Sequence, residues 1–253
     1  MSNVQVCVSN VQFAAPDTAA HKLKGKRAMP ASIETYAPPA YLYRFRNVGA
    51  KATMSNKSLR YEIDAIRRGQ VWCGEYHKLN DAMEGLYEAG EQTRQNERWE
   101  EARGLIRNRK ASVGIACFSE LWNQALMWAH YADSFRGLCI KYDFRVLRET
   151  LPSRCSFSRI SYADRLLDIG ADLEDSRHLA KWILSTKHHS WAYEREWRLF
   201  NPSHGILEFN PRAVREVILG PRMPETVKRF LRNYIDGELI RESRISGYEV
   251  EVA

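Results

Sequence analysis

The chain reads as an α+β domain, and three observations predict this. Short strand-like runs are mixed irregularly with helical ones. No strand–helix–strand rhythm repeats along the chain, which argues against a doubly wound sheet. The composition, 44% hydrophobic and 27% charged over 253 residues, is that of an ordinary soluble chain with a sizeable core. The expected organisation is an N-terminal arm over residues 1–39 and one α+β main domain over residues 40–253. The arm is rich in Ala, Ser, Pro and Thr and ends in Ala37-Pro38-Pro39, which disfavours helix. Only Val4 to Phe13 has strand-like alternation there, and the basic cluster His21 to Arg27 reads as a solvated tail or a phosphate-attracting segment.

Within the main domain each element has a local cause. Tyr41 to Arg46 alternates aromatic and basic residues and predicts a strand. Leu59, Ile63 and Ile66 recur at helical spacing from Ser58 to Arg68, with Gly69 as the stop. Val71 to Cys73 is a short buried strand. Leu79 to Glu84 is a turn entering a helix, with Asn80 or Asp81 as N-cap and Glu84 closing a capping box. Gln92 to Arg109 predicts an exposed helix, Ser112 to Phe118 a buried strand, Trp122 to Asp133 a short helix and Gly137 to Tyr142 a strand. A turn and helix span Asp143 to Thr150, a strand Phe157 to Tyr162, a helix Leu173 to His189, and a strand starts at the Glu194-x-Glu196 pair. Strands over Leu207 to Asn210 and Arg215 to Leu219, a helix over Pro224 to Asp236 and one or two strands over Glu238 to Val252 complete the chain.

Composition also excludes several function classes. Five cysteines, widely spaced and without a Cys-x-x-Cys pair, argue for a reducing compartment and against a disulfide scaffold or a cysteine zinc site. No run approaches a membrane helix, so the expected location is cytoplasmic, with no membrane partner. The net charge of +7 permits a polyanion as partner, but the basic residues are mostly interleaved with acids. The seven histidines form no His-x-x-x-His pair; His77 with Asp81 and His130 with Asp133 are pairs of a kind that arises by chance, and His130 reads as a core residue. No metal is expected. No Gly-x-Ser-x-Gly elbow, Walker loop or dinucleotide glycine fingerprint is present.

The most informative stretch is Trp191 to Phe200, where Glu194 and Glu196 lie among large aromatics. On a strand, both carboxylates share one face and Tyr193, Arg195 and Trp197 the other. One reading is a salt-bridged strand neutralised by Arg195 and Arg198. The other is a catalytic carboxylate pair. With Arg44 in the opening strand and Ser119 at a strand end, the order cation, hydroxyl, glutamate pair suits cleavage of an N-glycosidic bond beside a pyrophosphate: the cation meets phosphate, and a carboxylate stabilises the oxocarbenium-like centre. Tyr43, Trp128 and Tyr131 are the candidate stacking rings, Arg44, Ser119 and Glu196 should converge on one cleft with Glu196 open to it, and Trp191 and Trp197 should be mostly buried. Asn80 and Asp81 are candidates for a pocket rim or a ribose contact, beside their capping role.

Several motifs, taken together, resemble the bacterial domain-of-unknown-function family 2971: Tyr41-x-Tyr43-Arg44-Phe45, Leu79-Asn80-Asp81-x-x-Glu84, Phe118-Ser119, Met127 to Ala132, Gly137, Lys187-x-x-x-Trp191, Tyr193-Glu194-x-Glu196-Trp197-Arg198 and Val217 to Gly220. The resemblance runs from Tyr41 to Met223, with Ala82 where many members carry proline. The order arginine, serine, Glu-x-Glu also resembles the mono-ADP-ribosyltransferases. That resemblance implies a split sheet around an NAD cleft, with NAD as substrate, Arg44 on phosphate or ribose, Ser119 shaping the nicotinamide pocket, Glu196 as the catalytic carboxylate and Glu194 orienting the acceptor, which would be a nucleic acid or a protein. It implies an effector of toxin or anti-phage type. The alternatives are a nucleic-acid-binding protein without NAD chemistry and a partner-binding subunit with an aromatic surface.

Overall fold

The opening strand β1 (Tyr41–Arg46) lies at the centre of an eight-stranded sheet, and the alternation that predicted it decides what each face carries. The computed structural model describes residues 37–253, apart from residues 50, 52, 171, 172, 174 and 175. The expected strand at Val4 to Phe13, the basic cluster at His21 to Arg27 and Cys7 lie outside the described residues. Residues 38–253 form one compact unit. Its helices and strands mix as an α+β fold.

Along the chain follow α1 (Lys57–Arg68), β2 (Gln70–Cys73), α2 (Glu91–Gln95), α3 (Trp99–Ser112), β3 (Gly114–Ser119), α4 (Ala125–Tyr131), β4 (Leu138–Asp143) and α5 (Phe144–Thr150). Then come β5 (Ser156–Arg159), β6 (Ser161–Ala163), α6 (Ser176–Ile183), β7 (Thr186–His188), β8 (Glu196–Asn201), β9 (Gly205–Glu208), β10 (Val214–Leu219), α7 (Glu225–Arg232), β11 (Ile240–Ser246) and β12 (Glu249–Val252). The large sheet runs β12-β11-β10-β4-β1-β3-β8-β5, with β10 and β11 parallel and the other pairs antiparallel. Two small ribbons, β2-β9 and β6-β7, stand beside it.

The sheet is split at its middle. β1 pairs with β4 over all six of its residues but meets β3 through Tyr43↔Ser119 alone. Beyond that point β3 turns instead to the end of β2, where Gly74 and Ile115 exchange two backbone hydrogen bonds of 2.8 Å.

One face carries Leu42, Ile140, Tyr142, Phe118, Leu199 and Val217, covered by Ile63 of α1, Leu147 of α5 and Leu231 of α7 in one continuous core. On the other face Phe45, Cys139 and Ile218 pack under Met127 and Trp128 of α4. Ile115 and Phe200, farther along that face, meet Leu184, and α3 packs with α6 through Ile106 and Ile183. The caps follow the residue types expected of them. Asn56 accepts from Leu59 N at the start of α1, Gly69 ends it at φ 67°, and Asp143 caps α5 through Val146 N at 3.0 Å.

Several expected elements differ. Residues 79–84 form a turn without a helix, because Asp81 accepts from Met83 N at 2.9 Å and so closes the chain locally. The helix expected over Gln92 to Arg109 breaks into α2 and α3. The helix expected from Leu173 to His189 ends at Ile183; Thr186 to His188 pairs instead with β6 in parallel register. α4 stops at Tyr131, since Asp133, Ser134 and Phe135 run left-handed at φ 48°, 52° and 71°. Trp72, expected in a buried strand, points outward from β2.

Candidate functional site

The Glu-x-Glu pair is built by a turn rather than by strand alternation. Glu194 ends a 3-10 turn spanning His189–Glu194, Arg195 takes the left-handed conformation at φ 43°, and Glu196 opens β8. A left-handed arginine costs about 1 kcal/mol. It reverses the chain so that both carboxylates face one ammonium: Lys187 Nζ on β7 donates to Glu194 Oε2 at 2.6 Å and to Glu196 Oε2 at 3.5 Å. Lys187 also sits 4.6 Å from the Trp191 ring centroid.

Arg198, two residues along β8, completes the cluster. Its Nε donates to Glu196 Oε1 at 2.7 Å and its Nη2 to Glu196 Oε2 at 3.0 Å. Nη1 donates to Glu84 Oε1 at 2.6 Å and to the Leu184 carbonyl at 2.7 Å, and Nη2 also reaches Glu84 Oε2 at 2.8 Å. All five guanidinium protons therefore have acceptors. The side chains of Arg198, Glu84, Glu194, Glu196 and Lys187 are all buried, so three carboxylates and two cations share a water-poor interior.

That environment drives the two glutamates apart. Burial pushes the Glu194 carboxyl above its ordinary value, and Lys187 only partly offsets this. Burial works in the same direction on Glu196, but Arg198 and then Lys187 outweigh it and hold Glu196 down at about 2. A neighbouring pair of carboxyls separated in this way gives one group fixed as an anion and one that holds a proton more tightly than an ordinary carboxyl. Glu194 is also the member connected to the surface. Tyr131, the last residue of α4, donates its hydroxyl to Glu194 Oε1 at 2.5 Å, and exposed Asn80 donates to the Tyr131 oxygen at 3.4 Å. Around that line stand Tyr193 and Trp191, with ring centroids 6.1 Å apart, and exposed His130, 6.3 Å from the Tyr193 ring.

The residues singled out from the sequence divide between the two faces of the sheet. Ser119 pairs with Glu196 and with Tyr43, so these three share a face. Ser119 is fully buried; it donates to the Glu194 carbonyl at 2.7 Å and accepts from Leu121 N at 3.1 Å, pinning the turn. Arg44 does not join them. It lies one residue on from Tyr43, with its guanidinium 5.7 Å from the Phe118 ring on the opposite face, so the expected single cleft of Arg44, Ser119 and Glu196 is not formed. Trp128 is fully buried with its indole nitrogen donating to the Trp122 carbonyl at 2.7 Å, which leaves no ring face for stacking. Tyr43 is half-buried, its hydroxyl pushed up to about 12 chiefly by burial. Asp81 is buried in its turn.

Other expectations change too. Glu196 is enclosed with both oxygens taken and has no open face. Arg195 does not neutralise the pair; it goes to Glu120, as does the Trp197 indole at 2.9 Å. Trp191 and Trp197 are half-buried, and His130 is exposed. His77 pairs with Glu75 at 2.9 Å and not with Asp81. Sequence reasoning missed Glu84 and Lys187. Glu84 was read only as a helix cap, and the one signal for Lys187 was its place one turn ahead of a tryptophan.

Fold and site together define an α+β protein with a buried, ionically locked carboxylate pair. Residues 127–199 match the family model described as a protein of unknown function (DUF2971). This segment holds Tyr131, Lys187, Glu194, Glu196 and Arg198, and lies inside the span the motifs suggested. No curated protein and no solved structure matches the chain. Among the described residues, no helix is long and apolar enough to cross a membrane.

Proposed function

We propose that the chain is an NAD-consuming enzyme that cleaves the N-glycosidic bond of NAD and passes ADP-ribose to water or to a macromolecular acceptor. The observation that carries this reading is the separation of the two glutamates: Glu196 is held ionised, while Glu194 has a raised pKa and a hydrogen-bonded line to the surface through Tyr131. In the reaction the ribosyl–nitrogen bond breaks with its electron pair leaving on nicotinamide, which departs neutral. The acceptor oxygen bonds the oxocarbenium carbon, and its proton passes to the Tyr131 hydroxyl as that hydroxyl gives its own proton to Glu194 Oε1. The leaving group needs no acid, so a base with a raised pKa is the group the chemistry requires. The role of catalytic carboxylate moves from Glu196 to Glu194. Glu196 and Arg198 become the anchor that orients Lys187, and Lys187 orients Glu194. Tyr193, Trp191 and Tyr131 offer ring faces for the nicotinamide or adenine. Arg44 and Trp128 have no part in this site.

Nicotinamide release from NAD, measured on wild type, Glu194→Gln and Tyr131→Phe beside their melting curves, tests the reading. Wild type should turn over NAD; Glu194→Gln should lose on the order of 100-fold or more, and Tyr131→Phe less. No nicotinamide from wild type, with or without protein or nucleic-acid acceptors, would sink it. Steeply salt-dependent binding to DNA or RNA would then favour a nucleic-acid-binding function. Growth arrest and NAD depletion on expression in bacteria would extend the activity to an effector of toxin or anti-phage type.

A further inference from the structure

Arg44 contrasts with Arg198. The guanidinium of Arg198 has five acceptors and two carboxylates. That of Arg44 has one acceptor, the Trp72 carbonyl, 3.2 Å from Nη2, and the face of Phe118. Among the described residues no carboxylate lies within ion-pair distance of it. Glu62, the carboxylate that acts on Arg44 electrostatically, is taken by Arg46 at 2.6 Å. Arg44 is also not at a freely solvated edge. It is half-buried on the core face of the sheet, beside Tyr142 and Phe118, both almost wholly buried. Tyr142 lies diagonally across β4 from Arg44, on the same face, and the two side chains act on each other electrostatically. Burial and the neighbouring Arg46 cation both act to lower the Arg44 pKa, which marks the missing counter-charge.

The position explains how a guanidinium can be held in this way. Arg44 reaches from β1 across the seam where the sheet halves part, towards the end of β2 that fills the gap. A partly desolvated cation without a partner costs free energy. A planar fork with four unused N–H donors, on the same face as the Tyr142 hydroxyl, suits the oxygens of a carboxylate or a phosphate. Arg46 adds a second cation and Glu62 one opposing charge, so the local balance favours an anion.

We propose that Arg44 and Tyr142 form a binding site for a small oxyanionic group, a carboxylate or a phosphate, at the seam of the sheet and on the face opposite Glu194. This goes beyond the glycosidic chemistry and stands without it.

Melting temperature is the readout, measured with no NAD present, at constant ionic strength made up with chloride, in one series of inorganic phosphate and one of acetate. The wild type should show a saturable rise at low millimolar concentrations in one series, which identifies the group; general salting-out does not saturate there. Arg44→Met should weaken the apparent affinity by about tenfold or more. Tyr142→Phe, which keeps the ring in the core, should weaken it less and serves as the arm that reports if Arg44→Met does not fold. A flat wild-type response to both anions overturns the proposal, as does an undiminished response in Arg44→Met or, should that variant not fold, in Tyr142→Phe.

Discussion

Replacing Arg198 by methionine keeps most of the side-chain volume and deletes the charge and all five donated hydrogen bonds. Summing five charge-assisted bonds would overstate the loss, because the bared carboxylates can take up protons. Two estimates bound it. Removing one member of a buried ion pair costs about 3–5 kcal/mol. Independently, Glu196 is held at about 2 against an ordinary 4.5, and at about 1.36 kcal/mol for each step of one in pKa this corresponds to about 3 kcal/mol, shared between Arg198 and Lys187. For a domain of this size, 3–5 kcal/mol lowers the melting temperature by about 6–20 °C. Thermal melting at neutral pH should show this, with Arg198→Lys in between, because an ammonium restores the charge but only three donors. The pH dependence carries a second signature. Glu196 has a depressed pKa, so its stabilisation is fully present above 4.5 and is lost as pH falls towards about 2. The gap between wild type and Arg198→Met should therefore close over that interval. A neutral-pH difference under about 2 °C, or a gap unchanged in acid, would refute the view that the guanidinium holds the cluster together.

Glu194 runs the other way: a raised pKa contributes stability fully present below 4.5 and lost as pH rises through the folded value. Relative to wild type, Glu194→Gln should gain stability as pH rises from 4.5 to 8, and parallel curves would contradict this. Gly220→Ala places a methyl 2.2 Å from the Phe135 carbonyl and 2.7 Å from that of Gly137; a loss of at least about 2 kcal/mol in urea unfolding is expected. Asn56→Ala removes a helix cap and two donations to the Val48 and Lys51 carbonyls, and should cost about 1–2 kcal/mol.

The sequence made some of this legible and hid the rest for identifiable reasons. β1, α1 and α5 were readable because alternation, helical spacing, the stop at Gly69 and the turn at Asp143 act over a few residues. The Glu-x-Glu pair was recognisable as unusual, yet its geometry depends on one left-handed residue, Arg195, which nothing local requires. Glu84 and Arg198 lie 114 positions apart, so their bidentate contact has no local sign. Arg44 and Ser119 were expected together because the order cation, hydroxyl, glutamate pair suits one reaction, and they do end up in adjacent strands. Alternation separates them: pairing at Tyr43 fixes Ser119 to the face Arg44 avoids.

The split sheet has a consequence for the order of assembly. Strands of the two halves alternate along the chain: β1 and β4 belong to one side of the seam, β3 and β5 to the other, and β8 must enter between β3 and β5 before β10 returns to β4. Neither half is complete until about four-fifths of the chain has been made, and such non-local closure slows folding. During that delay Glu84 has no guanidinium and keeps its water. The arrival of β8 brings Arg198 to Glu84 and Glu196 to Lys187 in one step. Dehydration of the cluster therefore belongs to the final, cooperative stage of folding, and amides of β3 and β8 should gain protection from hydrogen exchange together and after those of the β1–β4 pair.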